Sequence, residues 1–227
     1  MAARDDHDAG ATRAAQPRGS LGQAAYHGIR DMIVTGRLAP GDRILEKDCA
    51  ASLGISRTPV REAIGRLTSE GLISRADGGA PMVMRISADD ILEILHVRRL
   101  LEVEAARRAC EAPGRDLLLD LRRTAEGFLA GDRPDAAEHM AFDDRLHGAL
   151  ARMARSQVLA DLIANLRLRT RIFDKAMLPD RFVPGCHEHI AIIDAVLGGD
   201  VREAEEAMRL HLGNVAGSIL DHLRRHI

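Results

Sequence analysis

Residues 46–73 read EKDCAASLGISRTPVREAIGRLTSEGLI, and this stretch decides the fold of the first part of the chain. Its pattern predicts two short helices joined by a tight turn, with Leu53 at the end of the first helix and Gly54 in the turn. Ile55 follows as the apolar residue that fills the corner between the helices. Either Ser56 or Thr58 can cap the second helix, because each offers a hydroxyl to the free backbone N–H groups of its first turn. The stretch therefore predicts a helix-turn-helix.

The second of these helices has two different faces. Pro59 fits in its first turn, where no backbone donor is missed. Apolar residues then recur on one face, at Val60, Ile64 and Leu67. Basic residues project elsewhere, at Arg57, Arg61 and Arg66. A buried stripe with cations near the helix start is what a reader of the DNA major groove needs, although a small helical hairpin with solvated arginines has the same spacing.

The residues on either side of this stretch favour the DNA-binding interpretation. Residues 74–87, SRADGGAPMVMRIS, predict a short strand, a glycine-rich turn and a second strand over residues 82–86. Upstream, an apolar stripe with helical spacing runs through Tyr26, Ile29, Ile33 and Leu38. A β-hairpin beside the second helix can lie along the minor groove or the phosphate backbone. Residues 21–87 are therefore predicted to form a winged helix-turn-helix domain.

Residues 36–73, GRLAPGDRILEKDCAASLGISRTPVREAIGRLTSEGLI, closely resemble the DNA-binding domain of GntR-family bacterial transcription regulators. The resemblance spans residues 21–87, and its SRTPVREA segment is seldom met outside that family. It implies that six residues touch DNA, namely Lys47, Ser56, Arg57, Thr58, Arg61 and, at the tip of the wing, Gly79. Arg57 and Arg61 are the candidates for bidentate contacts with guanine edges, whereas Lys47 is expected to hold a phosphate. The wing tip departs from many members of the family because it carries no cation.

Composition favours a helical protein of two domains. The chain has 227 residues, of which 46% are apolar but only 2% aromatic, so its cores must be built from aliphatic side chains. No apolar run approaches the ~20 residues that a membrane span needs, and the polar, acidic N-terminus lacks the apolar segment of a signal peptide. Three widely separated cysteines, Cys49, Cys110 and Cys186, indicate reduced thiols. These features predict a cytoplasmic protein without a membrane partner.

The chain is predicted to have three parts. Residues 1–20 are rich in Ala, Gly, Asp and Arg without periodicity and are predicted to be a disordered tail. The winged domain follows, and a capped helix start at Ser87 marks the boundary. Residues 88–227 carry helical periodicity without strand signals and predict an all-α antiparallel bundle of about six helices. The six segments begin at residue 89 and continue at 117–129, 136–153, 157–176, 187–197 and 201–227.

Within the bundle, four residues have the chemistry of metal ligands. Asp143 and His147 are four residues apart, so one helix face presents a carboxylate and an imidazole side by side. His189 and His211 lie at similar distances before and after a break at residues 198–200, which lets their two helices fold back antiparallel. One oxygen and three nitrogens suit Zn²⁺, Ni²⁺ or a similar divalent cation. Spacing alone leaves the alternative that these are ordinary surface or core histidines.

Residues 90–222 are similar to the FadR-type ligand-binding domain, termed FCD, that often follows this winged helix. Many members bind a metal through an Asp-x-x-x-His pair and two later histidines, and this chain has DDRLH, HEHI and MRLHL at those places. The resemblance implies the ligands Asp143, His147, His189 and His211. Asp144 is a weaker alternative, and His187 is not expected to be a ligand because it lies about 200° around the helix from His189.

The resemblance also implies an effector that reaches the metal. A small organic acid can occupy open metal positions while an arginine grips it, and Arg98 matches a position where relatives place such an arginine. The alternative for Arg98 is a surface ion pair with Glu102, worth about 0.3–0.5 kcal/mol. Arg169 and Arg171 are further candidates, and Cys186 is expected to be a loop thiol.

These features lead to one principal functional prediction with two alternatives. The principal prediction is a homodimeric transcription regulator, a repressor, that binds a short inverted-repeat operator in double-stranded DNA and senses a small carboxylate. In the first alternative the metal is itself the signal or only a structural clamp. The second is a metal-dependent hydrolase, for which the only nearby carboxylate is Glu188 and no general base, nucleophile or phosphate loop is evident. The chain is therefore not expected to be an enzyme.

Overall fold

The structure is a computed structural model, and it describes residues 18–75, 79–131, 133–173 and 181–225. Within those ranges the elements are α1 (Arg18–Val34), α2 (Glu46–Leu53), α3 (Arg57–Ser69), β1 (Ile73–Ser74), β2 (Met82–Val83), α4 (Ala88–Ala109), α5 (Arg115–Ala130), α6 (Ala136–Met153), α7 (Gln157–Phe173), α8 (Phe182–Gly198) and α9 (Val201–Arg225). The predicted fold class, a winged helix-turn-helix followed by a helical bundle, is confirmed.

The helix-turn-helix forms as its sequence pattern predicts. Helix α2 ends at Leu53, and Gly54 has a left-handed φ of 66°, which glycine adopts without steric cost. Ser56 occupies the N-cap position of α3, but its side chain makes no capping hydrogen bond. The apolar face of α3 is fully buried, through Val60, Ile64 and Leu67. That face packs against α1 and fixes how the opposite, basic face of α3 is presented.

Two expectations about the first domain are wrong in detail. Helix α1 begins at Arg18, so the predicted disordered tail does not extend to residue 20, and residues 1–17 lie outside the described part. The second strand was expected over residues 82–86 but ends at Val83. The reason is that the partner strand β1 begins at Ile73, soon after Gly71, where a positive φ turns the chain out of the strand direction. One further backbone hydrogen bond continues the pairing, from the Met84 N–H to the Leu72 oxygen. Residues 76–78, which belong to the predicted glycine-rich turn, lie outside the described residues.

The second domain contains six helices in its described residues, α4 to α9. Helix α4 begins with a capping box in which the Ser87 hydroxyl accepts from the Asp90 backbone and the Asp90 carboxylate accepts from the Ser87 backbone. The long helices α4 and α9 pack against each other, α8 packs on α9, and α5 packs on α8. The core is built mainly from Ala and Leu, as expected from so few aromatic residues. None of the helices in the described part of the chain has the length and apolar character that a membrane crossing requires.

Helix α8 differs from its prediction in a way that matters for the site. It was expected to begin at residue 187 but begins at Phe182. Pro184 suggested a loop, yet it is the third residue of the helix, where its missing N–H is not needed. Cys186, expected to be a loop thiol, therefore lies in the helix and is fully buried. Predicted helix ends at residues 174–176 and 226–227 lie outside the described residues.

Helix α7 joins the two domains. Leu168 packs into the core of the first domain together with residues of α1 and α3. The Asn165 amide donates to the backbone oxygen of Glu70 at 2.9 Å, and Arg169 donates to the same oxygen at 3.4 Å. Gly71 has a φ of 74°, and a Cβ built there would lie 2.1 Å from Arg169 Nη2. The end of α3 is thus held directly by the second domain.

Candidate functional site

Three helices bring the four candidate metal ligands together. Helix α6 supplies Asp143 and His147, α8 supplies His189, and α9 supplies His211. One ligand atom from each lies within 4.8 Å of the others. The rings of His189 and His211 are 4.6 Å apart between centroids, as the antiparallel return at residues 198–200 predicts. We call these four residues the histidine cluster.

The cluster contains buried nitrogen atoms that have no protein partner. The Nε2 atoms of His147 and His189 are both buried without a hydrogen bond in the structure. Asp143 Oδ1 lies 3.5 Å from the first and 3.3 Å from the second, with no hydrogen bond in acceptable geometry to either. A buried polar atom without a partner costs about 1–3 kcal/mol. A cation bound between these atoms would remove that cost, so the donor set fits a divalent metal ion.

Two carboxylates orient the histidines from outside the cluster. Glu102 contacts His147 Nδ1, and Glu188 lies 2.9 Å from His211 Nδ1. Each imidazole that donates from Nδ1 to a carboxylate has its lone pair on Nε2, and in His147 this is the nitrogen that faces Asp143. Glu188 is held in turn by Arg181 at 2.8 Å and by Asn214 at 2.7 Å. Such outer carboxylates are typical of histidine metal sites.

The electrostatics of the cluster keep His147 and His211 neutral and Asp143 charged. Burial lowers the pKa of His211 to about 3. Burial also lowers the pKa of His147, and Arg167 acts in the same direction against the opposing effect of Glu102. Burial alone would raise the pKa of Asp143, but Arg167 and the neighbouring imidazoles hold it well below its usual range. Neutral imidazole and ionised carboxylate are the forms that bind metals.

Arg98 and Glu102 form a buried pair rather than the surface pair that was weighed as the alternative. Their side chains are only 6% and 2% exposed, and Arg98 Nε lies 2.7 Å from Glu102. Arg98 also donates to the Thr170 hydroxyl at 3.3 Å. The value for a surface pair therefore does not apply, because the packing of α4 against α6, α7 and α9 excludes water from this position.

A cavity of about 200 Å³ opens beside the histidine cluster. Its wall contains Asp143, His189 and His211 from the cluster. Four arginines also line it, namely Arg98, Arg167, Arg171 and Arg181. Apolar surface comes from Met140, Phe182 and Val215, among others. A small pocket with apolar walls, four guanidinium groups and a cluster of metal-ligand type is suited to a small anion.

Arg167 is one of two cavity arginines that sequence reasoning missed, the other being Arg181. Arg167 is 6% exposed and contacts Asp143, and its Nη2 lies 3.3 Å from Asp144. It therefore holds the carboxylate oxygen of Asp143 that does not face the histidines. The available sequence signal was that Arg167 lies three and four residues before Thr170 and Arg171, which puts the three side chains on one face of α7.

The remaining candidates around the cavity fall into separate places. Asp144 pairs with Arg171 and Arg167 and does not belong to the histidine cluster. His187 is exposed, as its angular position on the helix predicts. Of the two further arginine candidates, Arg171 lines the cavity, whereas Arg169 points towards the first domain. Glu102 and Glu188 gave no sequence signal as orienting residues, because their histidine partners lie 45 and 23 residues away.

The six candidate DNA contacts are all exposed, namely Lys47, Ser56, Arg57, Thr58, Arg61 and Gly79. Arg61 is bound to Glu46 through two hydrogen bonds of 2.9 and 2.8 Å, and Arg57 reaches the same carboxylate at 3.4 Å. The Arg61 hydrogen bonds lower the pKa of Glu46 to about 2. Sequence reasoning did not single out Glu46.

A winged helix-turn-helix with an exposed basic face, joined to a helical bundle that contains a polar cavity, defines the class of DNA-binding transcription regulators with a helical second domain. Residues 21–83 match the family described as bacterial regulatory proteins, gntR family, and residues 93–214 match the FCD domain. The chain belongs to the GntR family and carries an FCD domain.

Relatives agree with this assignment, and a solved structure shares the fold. The chain is 28% identical over 209 residues to the HTH-type transcriptional repressor RspR of Escherichia coli K12, covering 89% of this chain and 90% of that protein. It is 37% identical over 135 residues to an uncharacterized HTH-type transcriptional regulator of Agrobacterium vitis, covering 58% of this chain and 79% of that protein. The structure of E. coli McbR/YncC has the same fold, with a TM-score of 0.77 at 22% identity over 89% of this chain and 98% of that chain. The protein is thus a transcription regulator and not an enzyme.

Proposed function

We propose that this regulator is a homodimeric repressor whose second domain binds a divalent metal ion and a small carboxylate, and whose operator binding depends on that carboxylate. The observation that carries the proposal is the histidine cluster, with unpartnered buried nitrogens, in the wall of a cavity lined by arginines. A repressor role is supported by the similarity to RspR of E. coli, which is a transcriptional repressor. From the proposed DNA partner we infer a cytoplasmic location.

The proposed metal ligands are Asp143, His147, His189 and His211. Three nitrogens and one oxygen favour zinc or nickel over the hard cations calcium and magnesium. A bound ion would supply a Lewis-acid centre for an anionic ligand. Glu102 and Glu188 would hold two of the imidazoles in the tautomer that leaves Nε2 free for the ion.

The proposed effector is a small carboxylate held between the cluster and the arginines of the cavity. Arg98 is the predicted effector contact, and its guanidinium lines the cavity while Glu102 and Thr170 fix its direction. Arg167 and Arg171 lie on the adjacent helix α7 and add positive charge to the same wall. A guanidinium matches a carboxylate with two parallel hydrogen bonds, so a site of this kind selects an organic acid over a neutral ligand.

Helix α7 offers the path from the cavity to the DNA-binding domain. One face carries Arg167, Thr170 and Arg171 towards the cavity. Another face carries Asn165 and Arg169 to the backbone oxygen that follows the end of α3. An effector that contacts the first face can therefore change the position of α3, provided that it binds the DNA-free arrangement more tightly than the DNA-bound one.

DNA reading is proposed to follow the family arrangement. Arg57 and Arg61 would contact guanine edges, Lys47 would contact a phosphate, and Ser56 and Thr58 would contact the backbone or bases at the start of α3. Gly79, at the predicted tip of the wing, would also touch DNA. A homodimer would place two copies of α3 on an inverted repeat, so effector binding could change their separation or angle.

Metal analysis of the purified protein tests the proposal. We expect about one divalent ion per chain, which a His189→Ala/His211→Ala variant loses. A His187→Ala variant is the matched control, because it removes an exposed histidine of α8 and should keep the ion. Carboxylates are then screened by the shift in melting temperature of the metal-loaded protein. Equal metal contents in the three proteins, or no metal after incubation with zinc or nickel, would refute the metal site.

A second candidate function is that the metal is itself the signal or only clamps the bundle. The observation in its favour is that the cluster and its outer carboxylates tie four helices together, from Glu102 on α4 to His211 on α9. In that case removal of the metal alone changes operator affinity, and no carboxylate does. Operator binding measured with and without chelator, and with and without the carboxylates, separates the two functions.

A further inference from the structure

The two arginines proposed to read bases share one carboxylate. Arg61 donates to Glu46 from Nε at 2.9 Å and from Nη2 at 2.8 Å, while Arg57 donates from Nη2 at 3.4 Å. Glu46 is the first residue of α2, and both arginines lie in the first two turns of α3. The carboxylate therefore connects the two helices of the helix-turn-helix at its basic face.

The geometry leaves the base-reading edge of Arg61 available. A guanidinium has five N–H donors, and Glu46 takes one from Nε and one from Nη2. Both hydrogens on Nη1 and the second hydrogen on Nη2 remain, and one from each nitrogen forms the edge that can pair with the O6 and N7 atoms of guanine. The Arg57 and Arg61 side chains are 63% and 64% exposed, whereas Glu46 is 21% exposed. The carboxylate thus holds the inner part of the fork while the outer part faces solvent.

A carboxylate at this position has an electrostatic disadvantage for DNA binding. It is ionised at physiological pH, because the hydrogen bonds from Arg61 hold its pKa at about 2. A negative charge next to the phosphate backbone weakens binding to every DNA sequence alike. A benefit must therefore come from something other than affinity for the phosphates, and the fixed orientation of the two guanidinium groups is the candidate.

We propose that Glu46 is a positioning residue for sequence reading, which orients Arg57 and Arg61 towards guanine edges and keeps them from the phosphates. The inference rests on the proposed base-reading role of those two arginines. Without the carboxylate, each guanidinium rotates freely and pairs with the nearest phosphate. Affinity for all DNA then rises while the preference for the operator falls.

The test compares two substitutions on α2, each of which removes one negative charge. Glu46→Gln removes the charge and one of the two acceptors, whereas Asp48→Asn removes the charge of an exposed neighbour in the first turn of α2. The DNA probes are a duplex that the wild-type chain enriches from a random-sequence library and a shuffled duplex of the same composition. Fluorescence anisotropy gives the affinity of the full-length chain for each duplex, and their ratio measures specificity.

We expect the specificity ratio of Glu46→Gln to fall about tenfold, the size of one bidentate base contact, while affinity for the shuffled duplex rises. In Asp48→Asn the ratio should stay within about twofold of the wild type, since Arg57 and Arg61 pair with Glu46 and a charge beside that pair acts on both duplexes alike. A Glu46→Asp variant keeps the charge but shortens the side chain. It should lower the ratio without raising affinity for the shuffled duplex, which separates positioning from charge.

The result that overturns the inference is an equal specificity ratio in Glu46→Gln, Glu46→Asp and Asp48→Asn. An Arg61→Ala variant on the same duplexes shows where such a failure lies. If Arg61→Ala loses specificity while the Glu46 variants keep it, only the role of Glu46 is wrong. If Arg61→Ala keeps the wild-type ratio, or the wild-type chain enriches no sequence, the base-reading role itself is wrong and the inference falls with it.

Discussion

Replacing Glu102 with Gln perturbs the buried network between the histidine cluster and the arginines. The Glu102 carboxylate is 2% exposed, accepts a hydrogen bond from Arg98 Nε at 2.7 Å and contacts His147 Nδ1. Arg167 Nη1 lies 3.7 Å away. Gln keeps the shape of the side chain but loses the charge, and its amide nitrogen accepts no hydrogen bond from either donor.

The expected loss of stability follows from the burial of this network. Removing one partner of a buried charged pair costs about 3–5 kcal/mol, and the Gln oxygen can keep one of the two hydrogen bonds. We therefore expect a loss of about 2–4 kcal/mol, which is a fall in Tm of about 4–16 °C for a chain of this size. His147 also loses the carboxylate that orients it, so metal affinity should fall about 10–100-fold.

Glu104→Gln is the matched control for this perturbation. Glu104 lies on the same helix and also pairs with two arginines, Arg107 and Arg108, but these side chains are 36–41% exposed. Its loss should cost at most about 1 kcal/mol. Thermal unfolding of the metal-free proteins gives the Tm values, and competition with a coloured chelator gives the zinc affinities. Equal Tm shifts in the two variants, or an unchanged zinc affinity in Glu102→Gln, would refute the role assigned to Glu102.

The difference in stability between the wild type and Glu102→Gln should depend on pH, and the pKa of Glu102 gives the sign. Burial alone would raise the pKa of Glu102, but Arg98, His147 and Arg167 together hold it well below its ordinary value in the folded chain. A depressed pKa stabilises the fold above the pKa of the unfolded chain, ~4.3, and this contribution is lost as the pH falls below it. The Tm difference between metal-free wild type and Glu102→Gln should therefore be constant above about pH 5 and shrink below about pH 4. A difference that grows on acidification would contradict the pKa direction.

Three further predictions concern the DNA-binding domain and its contact with α7. Lys47→Ala should weaken binding to all duplexes and reduce the salt slope by about one, whereas Arg61→Ala should cost about 1–3 kcal/mol of discrimination; anisotropy titrations at several salt concentrations separate these two effects. Leu168→Ala should destabilise the chain by about 2–4 kcal/mol in denaturant titrations, because Leu168 is buried in the core of the first domain. Leu162 is exposed on the same helix, so Leu162→Ala should cost less than about 0.5 kcal/mol, and similar losses would show that Leu168 is not buried between the domains. Gly71→Ala should cost about 1–3 kcal/mol, because φ is 74° and Arg169 occupies the space of a Cβ; a neutral Tm would contradict that backbone conformation.

The histidine cluster shows how far local sequence pattern reaches. Asp143 and His147 share a face because the helix repeat places residues four apart side by side. The break after α8 places His189 and His211 at similar heights on antiparallel neighbours. Resemblance to the FCD domain selected these four residues from ten histidines and many carboxylates. Their proximity could therefore be predicted, although the pattern did not show that buried nitrogens of His147 and His189 lack a hydrogen-bond partner.

The local sequence pattern was least reliable for the ends of helices and strands. Pro184 suggested a loop but lies in the first turn of α8, and the composition of residues 18–20 suggested disorder although α1 begins there. The second strand is shorter than its apolar pattern because its partner turns away at Gly71. In each case the backbone partners of the segment decided the outcome, and those partners are not adjacent in sequence.

The sequence by itself determined the helix-turn-helix, the basic face of α3, the six helices of the second domain and the helix faces that carry the histidine cluster. These features depend on the helix repeat and on turn chemistry, which act over a few neighbouring residues. Only the tertiary structure decided that Arg98 and Glu102 are buried, that Arg167 enters the cavity and that Asn165 reaches Glu70 from 95 residues away. Those outcomes depend on how the side chains of several helices fill one core, and that packing sets burial and long-range pairing together.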